Sequence, residues 1–244
     1  MTRSAWLCLT FLASVACGFP MPAPLGEGDA GLPPGDGSSG TAAVELTLLA
    51  GDIGGAGNVD GTGATARFAN PTRVAVDGSG NVYVVDSHNG VIRKITSAGV
   101  VTTFAGAAGG LGTPGDVAVD AAGNVYVSES DQGSSEISKI TTAGVVTTIP
   151  GIGTSHPGAL AIDGAGNIYF GDGNSIGKVT PNGVVTTLAG PAAQISGPGG
   201  VAVDVVGNVY VADSGHSTIR KILPDGTVTT LAGTRVHYGS DEVI

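Results

Sequence analysis

The sequence predicts an all-β protein assembled from four copies of one four-stranded sheet, and three observations carry that reading. Asp77, Asp120, Asp163 and Asp204 follow one another at intervals of 43, 43 and 41 residues, and Asn81, Asn124, Asn167 and Asn208 keep the same intervals. A fixed period of this size marks one supersecondary unit stacked on copies of itself. The apolar residues come in short runs of Val, Ile, Leu and Ala between turn residues, among 43 glycines, and no stretch of useful length has a helical period.

The copy beginning at Pro71 shows the unit. Val74–Val76 reads as an inner strand a, and Asp77–Asn81 as a turn in which the carboxylate takes backbone amides and Gly80 supplies a positive φ. Asn81–Val85 reads as strand b, Asp86–Gly90 as a polar loop and Val91–Ile95 as strand c. Ser97–Gly99 turns the chain into strand d, Val100–Phe104. Strands a and b are apolar on both faces, so each sheet must be covered on both sides, and radial stacking of blade on blade does this. Tyr83, Tyr126, Tyr169 and Tyr210 recur in strand b and are expected between blades, each hydroxyl beside a backbone partner.

The pattern Pro-x-x-Val-Ala-Val-Asp, Gly-Asn-Val-Tyr-Val, Ile-Arg-Lys-Ile and Val-Thr-Thr-Leu-Ala-Gly resembles the NHL repeat family across about residues 44–233. Blade 2 departs at Ser128-Glu129, where Ala-Asp is usual, and blade 3 shortens its b–c loop in Gly-Asn-Ser-Ile-Gly-Lys-Val. The resemblance implies a β-propeller, often six-bladed, acting as a binding or scaffold module.

The strand inventory is uneven at its ends. Val44–Gly51 matches strand d with no a, b or c before it, whereas the last copy carries its own strand d, Thr227–Ala232. Four complete blades plus an orphan N-terminal strand leave two arrangements open: a four-bladed ring with an extra edge at Val44–Ala50, or an incomplete ring. The incomplete ring is favoured, and its open edges and faces would invite self-association.

Four segments follow. Residues 1–17 form an apolar leader, 18–43 a Gly- and Pro-rich linker, 44–233 the propeller and 234–244 an irregular tail. The leader is too short to span a bilayer and reads as a secretory signal. Ser14-Val15-Ala16 suits ordinary cleavage, and together with Cys17 it also resembles a bacterial lipobox, in which Cys17 would be lipidated. The chain is therefore expected in the cell envelope, as an outer-membrane lipoprotein, or secreted, and any membrane contact would pass through Cys17. The linker has too little apolar surface to offset chain entropy and reads as a tether.

Ten Lys and Arg against twenty Asp and Glu give a net charge of −10, which argues against nucleic-acid binding. Both cysteines, Cys8 and Cys17, precede the repeats, so the propeller has no thiol chemistry.

Strand polarity puts the short a–b and c–d turns on one face and the variable b–c loops and d–a connections on the other. The variable face is the expected binding face for a protein, peptide or glycan. It holds Arg67 and Phe68, at the end of the long connection 51–70, with Arg73 and Asp116 near the channel mouth. Ala159 and Gly200 occupy the same repeat position as Arg73 and Asp116. Asp86, Glu129, Asp172 and Asp213 recur there and could ring a Ca²⁺ through oxygen ligands, although an Asp at a loop more often caps its own backbone. His88, His156 and His216 suggest a zinc set, weakened by their unequal loop offsets; His237 lies in the tail and is given no role.

Gly173–Gly177 matches Gly-x-Ser-x-Gly by letter but joins two strands, without the helix a nucleophile elbow needs. The Gly-rich runs at 51–57 and 106–112 open no helix and contain no Gly-Lys-Ser/Thr, so they do not read as phosphate cradles. Arg93-Lys94 and Arg220-Lys221 in strand c read as edge solubilisers. The expected function is a non-enzymatic binding or scaffold module without a cofactor. The alternative is a metal-dependent propeller lyase or lactonase-like hydrolase using the loop-face acids and histidines.

Overall fold

The computed structural model describes residues 47–52, 55–131, 134–152 and 157–234. The leader with Cys17, the linker, His156 and His237 lie outside these described residues.

Each period folds into one antiparallel sheet whose strands follow in chain order. A two-residue strand β1 (Gly61–Thr62) comes first. Blade 1 is β2 (Pro71–Val76), β3 (Val82–Asp86), β4 (Val91–Ile95) and β5 (Val100–Gly106). Blade 2 is β6 (Thr113–Val119), β7 (Val125–Asp131), β8 (Ser134–Ile140) and β9 (Val146–Thr148). Blade 3 is β10 (Pro157–Ile162), β11 (Ile168–Asp172), β12 (Ser175–Val179) and β13 (Val185–Ala189). Blade 4 is β14 (Pro198–Val203), β15 (Val209–Asp213), β16 (Thr218–Ile222) and β17 (Val228–Ala232). Among the described residues, helical structure is limited to four three-residue 3-10 turns.

The conserved spacing from Asp to Asn is a single hydrogen-bonded device. In blade 1 one oxygen of Asp77 accepts the amides of Ser79 and Asn81, both at 2.9 Å. Its other oxygen accepts the Asn81 side-chain amide at 2.8 Å and the Tyr83 hydroxyl at 3.4 Å. Gly80 closes the turn at φ 78°, a conformation that costs a residue with a Cβ. The tyrosine hydroxyls of the other blades reach Asp120, Asp163 and Asp204 in the same way, at 3.1, 3.0 and 3.2 Å. The expectation of a backbone partner is thereby corrected: the second carboxylate oxygen of the turn lies in the path of the ring.

Blades pack flank to flank, as the two-sided apolar strands require. Tyr83, Val85, Ile92 and Ala105 of blade 1 meet Val117, Val125, Val127 and Ile140 of blade 2. Tyr126 and Ile137 meet Leu160, Ile168 and Phe170, and Tyr169, Ile176 and Ala189 meet Val209, Val211 and Ile222. Full burial of one such side chain contributes roughly 1.5–3 kcal/mol. One aliphatic side chain from each connection plugs the junction it crosses: Leu111, Ile152 and Ile195.

The ends settle the strand inventory. Inner strands β2, β6, β10 and β14 pack in sequence, and no apolar cluster of described residues joins blade 4 to blade 1. The four blades form an open arc. The orphan strand expected at Val44–Ala50 is corrected within its described part: residues 47–50 are not strand, and the extra edge is β1, which pairs with β5 through Gly61–Val101 and Thr62–Val100. The long connection 51–70 folds back over the outer flank of blade 1. There Ala50, Ala66 and Phe68 cover Val84, Ile95 and Val101.

Candidate functional site

Asp86, Asp172 and Asp213 end the second strand of their blades, and Glu129 stands two residues before the end of β7. Asp86 and Asp213 are fully buried. Asp86 accepts the Ala69 amide at 2.7 Å, the Asn89 side chain at 2.8 Å and Arg93 Nη1 at 3.2 Å. Asp213 accepts the Ser196 amide at 2.8 Å, Arg220 Nη1 at 3.2 Å and His216 Nδ1 at 3.0 Å. Each acid thus ties the connection before its blade to an arginine of strand c. The reading of Arg93 and Arg220 as edge solubilisers is corrected, because both face inward and are buried. Lys94 and Lys221 stand over the rings of Tyr83 and Tyr210, at 5.5 and 5.6 Å.

Blades 2 and 3 replace that arginine. In blade 2 its place is taken by Ser138, which donates to Glu129, and Glu129 also takes the Gly112 amide. In blade 3 its place is taken by Gly177, where a Cβ would sit 2.1 Å from the Phe170 ring. The Phe170 ring lies across Gly177, and Asp172 is left half-buried beside the hairpin turn Gly173-Asn174. Gly173–Gly177 therefore spans a β-hairpin with no helix after it, as read from sequence.

The two described histidines, His88 and His216, stand on different blades. His88 is exposed, and its main-chain amide donates to Ala69 O at 3.0 Å. His216 sits on blade 4 against Asp213, and His156 is outside the described residues. Among the described residues, no group of three His, Cys, Asp or Glu is placed to hold a metal ion.

Arg67 pairs with Asp52 at 3.0 Å and donates to Ala64 O and Ala66 O, pinning the connection 51–70 to itself. Phe68 packs on the flank of blade 1, 5.0 Å beneath the Arg93 guanidinium. Both residues are half-buried, and these contacts hold the connection to blade 1. Arg93 also takes Asp60, the Val59 carbonyl and the Arg67 carbonyl at 2.7, 2.9 and 2.8 Å.

Polar side chains from neighbouring blades meet along the inner strands β2, β6 and β10. Arg73 Nε of blade 1 lies 3.8 Å from Asp116 Oδ1 of blade 2, and Asp116 Oδ2 accepts the Leu160 amide of blade 3 at 2.9 Å. Burial pushes the Asp116 carboxyl above its ordinary range, against the pull of the Leu160 and Val117 amides and of Arg73. Thr72 and Ser87 share a hydroxyl contact of 2.6 Å alongside. Two of the four expected face residues, Arg73 and Asp116, are thus brought together and remain partly open.

Large apolar side chains stand open among the described residues. On the opposite, short-turn face Val205 and Val206 stand open where the other blades have Gly-Ser, Ala-Ala and Gly-Ala, a difference visible once the copies are aligned. At the two ends of the arc Val74 and Val76 of β2 are 53 % and 61 % exposed and Leu231 of β17 is 59 % exposed, the open blade faces expected of an incomplete ring.

Radial antiparallel blades around an axis define a β-propeller arc. The NHL repeat model matches residues 68–95 and 196–222, so the first and last blades carry NHL repeats in their connection and first three strands. A protein of unknown function from Bacteroides thetaiotaomicron superposes with a TM-score of 0.63 at 24 % identity, over 77 % of this chain and 50 % of that one. Virginiamycin B lyase from Staphylococcus aureus superposes with a TM-score of 0.54 at 17 % identity, over 69 % and 56 %. A chain of a nidogen/laminin complex does so with 0.60 at 22 %, over 68 % and 65 %. These likenesses are of fold, and the chain spans about half the length of the first structures it matches. Comparison with curated protein sequences finds no match.

Proposed function

We propose that the chain is a non-enzymatic binding module that presents its propeller surface to a protein, peptide or glycan. The observation that carries this reading is the commitment of the recurring polar residues to internal pairs. Asp86 and Asp213, the best candidates for a charged functional ring, are consumed by Arg93, Arg220 and backbone amides. What remains open at the variable face is the Arg73–Asp116 pair, which can offer a cation and a carboxylate to a polar ligand. The nidogen/laminin complex, a propeller chain seen with a protein partner, supports the reading by analogy of fold.

In this reading a lipidated Cys17 and the linker hold the propeller at the cell envelope, or cleavage releases it as a secreted protein. Metabolic lipid labelling lost on Cys17→Ser separates the two.

The functional test uses the immobilised full chain to retrieve a partner from an envelope extract. Retrieval that falls on Arg73→Glu and is restored by Arg73→Lys supports the Arg73–Asp116 pair. Metal analysis runs beside it. One equivalent of tightly held Zn²⁺ or Ca²⁺ with a lyase or lactonase turnover would replace this reading by the metal-dependent enzyme.

A further inference from the structure

Blade 4 carries a pocket where blades 1 and 3 hold a side chain of the following connection. The pocket measures about 270 Å³ and is lined among others by Ala212, Thr218, Ile219, Ala232 and Gly233. Ala212 stands opposite Ile219 and Ile219 opposite Ala232, as Val85 stands to Ile92 and Ile92 to Ala105 in blade 1. Leu111 sits among Val85, Ile92 and Ala105, and Ile195 sits against Ile176 and Ala189. Ile92 and Ile176 are at 0 % exposure and Ala105 and Ala189 at 8 % and 5 %, whereas Ile219 is half-buried and Ala232 exposed. The wall also holds a lone polar atom. Thr218 is 4 % exposed, and its Oγ1 has no hydrogen-bond partner among the described residues. In blade 1 the same place, opposite the acid that ends the second strand, belongs to Val91.

The sequence after β17 supplies a matching side chain. In blades 1 and 3 the plug is the fifth residue after the glycine that closes the fourth strand, Gly106 to Leu111 and Gly190 to Ile195. Small residues follow it, Gly112-Thr113 and Ser196-Gly197. The fifth residue after Gly233 is Tyr238, and Gly239-Ser240 follows. Gly233 stands at φ 87°, unlike the extended Gly106 and Gly190, but close to the 81° at which Gly151 turns the chain into its junction ahead of Ile152.

We propose that Tyr238 occupies this pocket, with its ring on Ala212, Ile219 and Ala232 and its hydroxyl bonded to Thr218 Oγ1. A tyrosine presents an apolar body and a polar tip, which answers a wall that has a hydroxyl where blade 1 has a valine. Buried hydroxyls are ordinarily partnered. The pocket is smaller than the roughly 300–1,000 Å³ of sites that enclose drug-sized ligands, which favours one side chain as its occupant. Gly233 itself lines the pocket, so residues 234–237 need only loop back to it, well within the ~3.3–3.6 Å per residue that a chain can span. The contact uses residues 233–240 and holds whatever chain follows them. It is independent of Arg73 and Asp116, which belong to blades 1 and 2.

The test is limited tryptic cleavage of the full chain at Arg235, followed by mass spectrometry. A protease reaches this bond when the segment leaves the pocket, so the rate follows the undocked fraction. Tyr238→Ala should be cut at least about tenfold faster than the parent, and Ala232→Trp, which fills the pocket from its wall, should be cut faster as well. Val236→Ala should be cut at the parent's rate. Tyr238→Phe leaves the Thr218 hydroxyl unpartnered and should be cut faster than the parent. Adding Thr218→Val should restore resistance, because the polar pair is then replaced on both sides. The proposal is overturned if Tyr238→Ala and the parent are cut alike, or if Val236→Ala is released as readily as Tyr238→Ala. Failure of Thr218→Val to restore resistance would overturn the hydroxyl pair. Should Ala232→Trp abolish partner retrieval in a chain indifferent to Tyr238→Ala, the proposal is overturned and the pocket belongs to the partner.

Discussion

Arg93 and Asp86 form an ion pair at 3.2 Å in which both side chains are fully buried. Arg93 joins strand c to the folded-back connection, through Asp60 at 2.7 Å and the Val59 and Arg67 carbonyls at 2.9 and 2.8 Å. The pair therefore fastens the cover of blade 1 to the blade.

Asp86→Ala leaves Arg93 with Asp60 and two carbonyls but deprives it of its buried carboxylate and leaves the Ala69 amide without an acceptor. It should lower stability by about 1–3 kcal/mol, read from urea unfolding, whereas Asp86→Ala with Arg93→Met should recover part of the loss. Equal losses in the single and double variants would show that the amide of Ala69, and not the charge, is what Asp86 supports.

Blade 3 offers a test by substitution of one packing solution for another. Gly177→Ala places a methyl group against the Phe170 ring and should cost about 1–3 kcal/mol. Combining Gly177→Arg with Phe170→Val rebuilds the blade 1 arrangement around Asp172 and should be tolerated better than Gly177→Arg alone. A double variant no more stable than the single one would mean that Asp172 cannot receive the guanidinium.

The turn aspartates set the acid limb of stability. Burial works to raise the Asp120 carboxyl, but hydrogen bonds from Asn124, Tyr126 and Ala122 together outweigh it and leave the group below its ordinary value. Asp77 and Asp163 follow the same balance. A carboxyl lowered on folding contributes stability that is present above the unfolded value, about 3.9, and lost as pH falls through the lower folded value. The stability gap between the parent and Asp120→Ala should therefore be widest near neutrality and narrow below about pH 4. A gap of constant size down to pH 2 would remove the charge from the explanation.

The alkaline limb belongs to the tyrosines. Burial, with the nearby turn carboxylate, pushes the Tyr126 and Tyr169 hydroxyls up to about 12. Their raised values contribute stability below the ordinary tyrosine range that is lost as pH rises through about 12. Ultraviolet titration should show late phenolate formation from these two, and Tyr126→Phe should remove one late-titrating group. Tyr126→Ala should cost about 3 kcal/mol or more through the cavity it leaves.

The repeats were legible because a period enforces itself: Asp77 and its counterparts mark the same turn four times, and the strands between them have one register. The role of the acids was half legible. Capping of the connection by Asp86 could be read from the behaviour of Asp in loops, but its pairing with Arg93 requires knowing that position 93 points inward. A clue was present, since Asp86 with Arg93 and Asp213 with Arg220 are both seven apart, and blades 2 and 3 lose the arginine. The packing of Phe68 was not legible because a long connection ordinarily faces solvent; here the flank of blade 1 gave it something to cover.

The folded-back connection gives blade 1 a cover drawn from the chain itself. Ala50, Ala66 and Phe68 close the flank over Val84, Ile95 and Val101, while Val74 and Val76 of β2 stay more than half exposed. In wedges held by their nearest neighbours, order is lost first where packing is thinnest. Within blade 1 the inner strand should accordingly loosen before the covered strands β3 and β4, so that the blade opens from its axis outward.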